Sequence, residues 1–196
     1  MFLEIKNNKK QGKGWVEVVC GSMFSGKTEE LIRRLRRAQI AKMKVEIFKP
    51  AMDIRYDEYD IVSHSEISIP STPVENAQQI LLMTSDVDVV GIDEVQFFDS
   101  EIVNVCNQLA NKGTRVIVAG LDMDFQGDPF GVMPQLMAIA EYVSKVHAIC
   151  VECGDLANFS HRLVDDEKIV MLGEKESYQP LCRKCYNDKN KDIVNH

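Results

Sequence analysis

A glycine-rich segment near the start of the chain has the residue spacing of a phosphate-binding loop. Its sequence, GSMFSGKT at residues 21–28, matches G-x-x-x-x-G-K-[ST] at every fixed position. Glycines let main-chain N–H groups turn toward phosphate oxygens, and a helix that begins there adds the positive end of its dipole. We expect Lys27 to contact the β- and γ-phosphates of a nucleoside triphosphate and Thr28 to bind Mg²⁺. The loop residues predicted to bind the nucleotide are Gly21, Ser22, Met23, Ser25, Gly26, Lys27 and Thr28.

Two neighbouring carboxylates follow a later apolar run, Val87–Ile92. An acidic residue at the end of a buried strand is the usual partner of a phosphate-binding loop, because it holds Mg²⁺ through water. We assign that role to Asp93. Glu94 would then face the cleft, where its carboxylate could accept the proton of an attacking alcohol. In a nucleotide hydrolase the same carboxylate would orient water, and a solvated acidic strand end is the simpler alternative.

Four of the six cysteines form two Cys-x-x-Cys pairs, Cys150 with Cys153 and Cys182 with Cys185. Two such pairs offer four thiolates, which is the closed tetrahedral shell of a structural Zn²⁺ in a zinc ribbon. Because the four sulfurs fill that shell, we expect a structural rather than a catalytic metal. Redox disulfides and inert thiols are the alternatives. The other two cysteines fall on a predicted strand and a predicted helix, and we expect them to be small core residues.

The elements that must position these residues alternate between strand and helix. Short runs rich in Val and Ile predict buried parallel strands, and apolar residues at three- and four-residue spacing predict crossover helices. The expected fold is therefore α/β, with a P-loop (RecA-like) parallel sheet flanked by helices. The predicted strands are Trp15–Cys20, Val45–Phe48, Val87–Ile92, Arg115–Ala119 and Val143–Ile149, and the predicted helices are Thr28–Ala41, Ala77–Met83, Glu101–Asn111 and Met133–Tyr142.

The pattern divides the chain into four segments. We expect flexible polar tails at residues 1–14 and 188–196, an ATP-binding α/β domain at 15–148, and a small zinc-binding domain at 149–187. Residues 50–73 contain three prolines and predict a long irregular loop inside the larger domain.

The charge of the chain limits its partners. A formal net charge of −7 disfavours binding to nucleic acid, whose backbone is itself a polyanion. The sequence has no apolar run of the length that a membrane span needs, and its first residues lack the apolar core of a secretory signal. The cysteine pairs are expected to be reduced thiols that bind metal, which a reducing compartment favours. Together these features predict a cytoplasmic protein.

Three other functions could make use of such a nucleotide site. The tetrapeptide DFQG at residues 124–127 fits the D-x-x-G pattern of GTPases, but Thr114 stands where the N-K-x-D pattern requires aspartate. A zinc-ribbon P-loop ATPase acting on nucleic acid is opposed by the acidic charge and by the lack of a basic stripe with aromatic residues. A module that only holds nucleotide is opposed by Glu94, which has no role in simple binding.

The ordered set of motifs resembles the type II thymidine kinases over about residues 15–187. The similarity consists of GSMFSGKT with the following ELIRRLRRAQIA, DIRY at residues 53–56, IDEVQFF at 92–98, AGLDMDFQGDPFG at 119–131, and the two cysteine pairs. It implies transfer of the ATP γ-phosphoryl group to the 5′-hydroxyl of thymidine or deoxyuridine, which gives dTMP in nucleotide salvage. It also implies a homotetramer with feedback inhibition by dTTP.

The resemblance also implies roles for individual residues. The family's general base falls on Glu94, its P-loop lysine on Lys27, and its Mg²⁺-associated residues on Thr28 and Asp93. Its arginine near the transferring phosphate falls on Arg55, where a guanidinium can spread over two phosphoryl oxygens as charge develops.

The same resemblance implies a nucleoside pocket closed by a lasso loop between the cysteine pairs. Phe97 is expected to stack on the pyrimidine, although each pocket wall taken singly would also fit a plain core residue. Ser160 stands where many members have threonine, and Arg162 matches the lasso arginine. Main-chain groups around residues 169–173 are expected to read the thymine edge. The implied substrate-binding residues are Met23, Phe97, Leu121, Phe125, Ser160, Arg162, Ile169, Met171, Gly173 and Tyr178.

Overall fold

The computed structural model describes residues 13–52, 60–62, 68–163 and 177–194. Its strands are β1 (Trp15–Gly21), β2 (Val45–Pro50), β3 (Asp60–Val62), β4 (Ser68–Pro70), β5 (Thr72–Val74), β6 (Val89–Ile92), β7 (Arg115–Leu121), β8 (Tyr142–Lys145), β9 (Ala148–Ile149), β10 (Leu156–Ala157), β11 (Phe159–Arg162) and β12 (Tyr178–Leu181). Its helices are α1 (Lys27–Ile40), α2 (Ala77–Met83), α3 (Glu101–Asn111), α4 (Met133–Ile139) and α5 (Arg183–Val194), and a short 3₁₀ turn covers Val95–Phe97.

Six of these strands form one parallel sheet in the order β5-β2-β6-β7-β1-β8. Three antiparallel pairs, β3 with β4, β9 with β10, and β11 with β12, lie outside it. The sheet confirms the expected α/β fold. Since β7 lies between β6 and β1, the chain segments that follow these three strands meet at one edge of the sheet.

Helices cover the sheet on both faces, because each helix has an apolar stripe and a polar one. Helix α1 packs Leu31, Ile32 and Leu35 against one face of the sheet, while α2, α3 and α4 pack against the other. The first turn of α1 carries Glu29 and Glu30, whose negative charges suit the positive end of the helix dipole. Every residue of β1 is buried, as expected for a strand covered on both faces.

The last part of the larger domain differs from the sequence prediction. The predicted helix Met133–Tyr142 ends at Ile139, and the predicted strand Val143–Ile149 is divided into β8 and β9. Glu141 explains the early end of the helix, since its N–H donates to the Val16 carbonyl and its carboxylate accepts from the Val16 N–H. These contacts draw the chain into the sheet beside β1.

Two other stretches contain more regular structure than the sequence predicted. Within the predicted loop 50–73, the described residues include the β3–β4 pair and part of β5, a parallel strand beside β2. Pro73 is tolerated in β5 because an edge strand has one side without a ladder partner. The predicted tail 188–196 is helical as far as Val194, as the end of α5. Among the residues described, no helix is both long and apolar enough to span a bilayer.

Candidate active site and metal centre

The phosphate-binding loop joins β1 to α1 and is held in place by its own polar groups. Lys27 Nζ donates a 2.8 Å hydrogen bond to the Ser22 carbonyl, and the Ser25 hydroxyl donates to the same oxygen at 2.7 Å. Gly21 is required by space, because a Cβ built there would lie 2.2 Å from the Val146 carbonyl oxygen. The loop is therefore folded around the place where phosphate oxygens are expected to bind.

Thr28 and Asp93 meet at the carboxyl end of the sheet strands, although they lie far apart in sequence. The Thr28 hydroxyl donates to Asp93 Oδ2 at 3.2 Å, and Asp93 is buried. A hydroxyl and a carboxylate are the hard oxygen ligands that Mg²⁺ prefers. Their contact fits the predicted divalent cation at the mouth of the phosphate-binding loop.

Glu94 has an unusual main-chain conformation. Its φ of 48° and ψ of 40° lie in the left-handed region, which is strained for a residue with a side chain. Its N–H donates to Asp93 Oδ1 at 2.9 Å, which stabilises the turn. The turn places Glu94 in an open cleft lined also by Met23, Phe24, Gly26, Lys27, Thr28, Glu29 and Leu121.

The segment that carries the two cysteine pairs, residues 149–163 and 177–187, is called the cysteine lobe, and it contacts the phosphate-binding loop directly. The Met23 N–H donates to the Ser160 hydroxyl at 3.0 Å, and the Ser22 hydroxyl donates to the Ala157 carbonyl at 3.4 Å. Ser160 is buried at this contact. One predicted substrate-binding residue thus orients another, since Met23 also lines the Glu94 cleft.

Three more of the predicted substrate-binding residues form one cluster. The guanidinium carbon of Arg162 lies 3.7 Å from the centroid of the Phe125 ring, a distance typical of a cation–π contact. Arg162 Nη2 and Nε both donate to the Tyr178 hydroxyl, at 2.7 Å and 3.1 Å. Arg162 and Tyr178 are buried, and the cluster connects the paired strands β11 and β12 to the loop after β7.

Of the other predicted residues, Phe97 and Leu121 lie in the described part of the chain and four do not. The Phe97 ring packs edge-on against Phe130, with the centroids 5.8 Å apart and the planes at 89°. Leu121 lines the cleft with Glu94. The remaining predictions lie outside the described residues: Arg55, Ile169, Met171 and Gly173.

The two cysteine pairs converge. The sulfurs of Cys150, Cys153, Cys182 and Cys185 all lie within 4.8 Å of one another. The Cys153 and Cys182 sulfurs are 3.6 Å apart, and none of the four is in a disulfide. Tetrahedral zinc with Zn–S bonds of about 2.3 Å would hold its sulfurs about 3.8 Å apart. The four donors therefore fit a structural zinc ion.

Two of these four thiols have pKa values that are shifted in opposite directions. Burial alone would raise the pKa of Cys150, but N–H groups of Cys182, Cys153 and Glu152 lower it to about 6. Hydrogen bonding to Cys182, followed by burial, raises the pKa of Cys185 to about 12. Four thiolates this close repel one another, and a divalent cation removes that repulsion.

The other two cysteines are core residues, as predicted. Cys20 and Cys106 are both fully buried. Burial, followed by the nearby Asp122 carboxylate, raises the pKa of the Cys20 thiol to about 11. Burial raises the pKa of Cys106 to about 12, so neither thiol is a nucleophile at neutral pH.

Sequence reasoning missed Tyr186, which follows the last cysteine. Its ring stacks on Phe159 with centroids 4.5 Å apart, and its hydroxyl donates to the Phe125 carbonyl at 2.7 Å. Burial, opposed by a hydrogen bond to Asn190, raises the pKa of the Tyr186 hydroxyl, so it is a donor at neutral pH. Tyr186 ties the cysteine lobe to the loop that carries Phe125. The sequence did offer one indication of a structural role, because Tyr186 directly follows the last cysteine.

The chain is similar to known proteins over most of its length. The family model described as thymidine kinase matches residues 14–186. A thymidine kinase of Bacteroides thetaiotaomicron is 63% identical over 186 residues, which cover 95% of this chain and 94% of the relative. A thymidine kinase of Porphyromonas gingivalis is 62% identical over 188 residues, covering 95% and 92%. A thymidine kinase of a Rhodothermus species is 64% identical over 173 residues, covering 88% and 81%.

Proposed function

The chain belongs to the thymidine kinase family, and on that premise we propose that it transfers the γ-phosphoryl group of ATP to the 5′-hydroxyl of thymidine. Deoxyuridine is proposed as a second acceptor, and dTMP or dUMP forms together with ADP. One observation carries the proposal: the Glu94 carboxylate shares a cleft with Lys27 and Thr28 of the phosphate-binding loop. A kinase needs a base and a phosphate site in one cleft, because the acceptor hydroxyl must reach the γ-phosphorus.

The reaction assigned to this cleft needs few covalent steps from the protein. The 5′-oxygen attacks the γ-phosphorus while the bond from that phosphorus to the β–γ bridging oxygen breaks, and ADP leaves. Glu94 accepts the hydroxyl proton. Lys27 and the main-chain N–H groups of the loop stabilise the negative charge on the phosphates. Thr28 and Asp93 would hold Mg²⁺, which neutralises phosphate charge when bound.

Further residues are proposed to bind the substrates. Arg55 is assigned to the transferring phosphate by family resemblance. Phe97, Ile169, Met171 and Gly173 are assigned to the nucleoside on the same basis. Support for the remaining nucleoside contacts comes from two sets of contacts. Met23 shares the cleft with Leu121 and donates to Ser160. Arg162 contacts Phe125 and Tyr178.

The four cysteine sulfurs are proposed to hold one structural Zn²⁺. Their mutual distances support this assignment, and their number leaves no position for a reacting water. The metal would fix the base of the segment between the pairs, which carries Ser160 and Arg162. Its role is to hold these two residues against the phosphate-binding loop and Phe125.

Assembly, regulation and location are proposed from family membership. The chain is expected to form a homotetramer, to bind dTTP as a feedback inhibitor, and to work in the cytoplasm. The unpaired cysteines also suit a reducing compartment.

A product assay separates this function from the alternatives. Purified protein with Mg-ATP and a panel of nucleosides is expected to form ADP and nucleoside monophosphate in equal amounts, with thymidine the preferred acceptor. ADP release without acceptor phosphorylation would favour an ATPase acting on nucleic acid, which none of the three relatives described above supports. No turnover with any nucleoside would favour a nucleotide-binding module.

The assignment of the base is tested by Glu94→Gln, which keeps the size of the side chain and removes its basicity. We expect most turnover to be lost while ATP affinity stays near the wild-type value. Glu101→Gln, at the exposed start of α3, is the matched control. Near-normal turnover of Glu94→Gln would exclude Glu94 as the base.

A further inference from the structure

A buried amide lies against Glu94 and has no role in the reaction as proposed above. Gln96 is in the short turn after Glu94 and is 4% exposed. Its Nε2 donates to Glu94 Oε2, and its Oε1 accepts from the Leu121 N–H at 3.0 Å. These two contacts use opposite ends of the amide. Because the main-chain N–H can only donate, the amide oxygen must face Leu121 and the NH₂ group must face the carboxylate.

The amide is also held by packing. Gly120, in β7, lies directly beside it, and a Cβ built at Gly120 would be 2.6 Å from Gln96 Oε1 and 2.9 Å from Met133 Sδ. The missing side chain of Gly120 therefore provides the space that the amide fills. Since β7 is a central strand of the sheet, Gln96 is anchored to the interior of the sheet and not to its periphery.

A carboxylate that acts as a base must be aimed as well as present. A glutamate has three side-chain torsions, and the left-handed main chain at Glu94 does not by itself fix them. A misplacement of about 1 Å can lower a rate by about 100-fold. The Gln96 amide joins the carboxylate of Glu94 to the end of β7, which also contributes Leu121 to the cleft.

We propose that Gln96 is a positioning residue for phosphoryl transfer, which orients the Glu94 carboxylate through its NH₂ group. The inference rests on the proposed function, since it assigns Gln96 a role only if Glu94 is the base. The amide oxygen of Gln96 anchors the side chain to the Leu121 N–H, and the NH₂ group orients the Glu94 carboxylate. A substitution can change the second contact and keep the first.

Gln96→Glu keeps the contact with Leu121 and changes the contact with Glu94. Glutamate keeps the length of the side chain and an oxygen that can accept from Leu121, but it places an oxygen instead of NH₂ against the Glu94 carboxylate. We expect kcat to fall roughly 10- to 100-fold while KM for ATP and thymidine stays within about threefold. The melting temperature is expected to fall as well, because a buried carboxylate in contact with the Glu94 carboxylate repels it or must share a proton with it, so the test rests on the split between kcat and KM and on the double substitution below. Gln96→Met removes both contacts and is expected to lower kcat and the melting temperature together. Gln135→Glu, on the exposed side of α4, is the matched control and should leave kcat unchanged.

A double substitution then distinguishes positioning from a general structural effect. Because Gln96 acts through Glu94, adding Gln96→Glu to Glu94→Gln is expected to cause no further loss of kcat. A double variant that is slower by the full factor of both single changes would overturn the proposal, and so would Gln96→Glu with kcat within twofold of wild type.

The single variant Glu94→Gln keeps the two proposals distinguishable. If Glu94→Gln has near-normal turnover, the assignment of the base fails and Gln96 loses its proposed role with it. If Glu94→Gln is nearly inactive and Gln96→Glu is normal, only the positioning role fails.

Discussion

The main-chain N–H of Met23 donates a 3.0 Å hydrogen bond to the hydroxyl of Ser160, across 137 positions of sequence. Met23 belongs to the phosphate-binding loop and Ser160 to β11 of the cysteine lobe. The contact between Ser22 and Ala157 lies beside it. The loop that is proposed to hold ATP and the lobe that is proposed to hold the nucleoside are therefore joined without an intervening element.

Ser160→Ala should weaken nucleoside binding, because it leaves the Met23 N–H without its acceptor. Loss of one such hydrogen bond corresponds to about 1 kcal/mol, or about a fivefold rise in KM for thymidine. Ser160→Thr keeps a hydroxyl and is expected to stay close to wild type. Steady-state kinetics check both variants, and an unchanged KM in Ser160→Ala would show that the contact does not position Met23.

Cys153→Ser should remove the metal. Wild-type protein is expected to contain about one zinc per chain by elemental analysis, and the variant much less, because a hydroxyl is a poor substitute for a thiolate. Loss of zinc should also raise KM for thymidine at least as much as Ser160→Ala does, since Ser160 lies between the cysteine pairs. Cys106→Ala, in the core of α3, is expected to keep its zinc. Zinc-free wild-type protein with oxidised cysteine pairs would contradict the assignment.

Glu17→Gln should destabilise the fold. Glu17 is 1% exposed in β1 and accepts hydrogen bonds from Trp15 at 2.7 Å, Arg34 at 2.8 Å and Arg115 at 2.6 Å. Neutralising it leaves two largely buried guanidinium groups with less negative charge around them, at a cost of about 3 kcal/mol or more. Thermal unfolding measures the loss. Glu46→Gln, at an exposed position of β2, is the control, and equal melting temperatures for the two variants would contradict the role of Glu17.

Tyr186→Phe keeps the aromatic stacking on Phe159 and removes only the hydrogen bond to the Phe125 carbonyl. We expect KM for thymidine to rise about fivefold, corresponding to about 1 kcal/mol, because the loop that carries Phe125 loses an anchor. Zinc content and kcat should stay near wild type. A variant that loses zinc would instead show that the hydroxyl supports the metal centre.

Much of the fold could be predicted because the strands are covered on both faces and so appear as short apolar runs. The starts of β1, β2 and β7 and both ends of α2 and α3 agree with the sequence prediction. The early end of α4 could not be predicted, since it depends on Glu141 meeting Val16, 125 positions away. Strand β5 was missed because Pro73 indicates a loop unless the strand is known to lie at an edge.

The candidate site divides in the same way. Residues of the phosphate-binding loop could be assigned because their roles depend on main-chain shape over eight consecutive positions. Gln96 and Tyr186 have no comparable local pattern. Their roles depend on contacts with Leu121 and Phe125, which only the folded chain brings near.

At Glu94 the left-handed main chain opposes the stability of the turn to the proposed catalytic role of the side chain. That conformation costs roughly 1 to 2 kcal/mol for a residue with a Cβ, and glycine would adopt it without strain. A glycine there would relax the turn after β6 and at the same time delete the carboxylate. Directed evolution for heat resistance alone would thus favour loss of the proposed base at this residue, so a screen for turnover must accompany it.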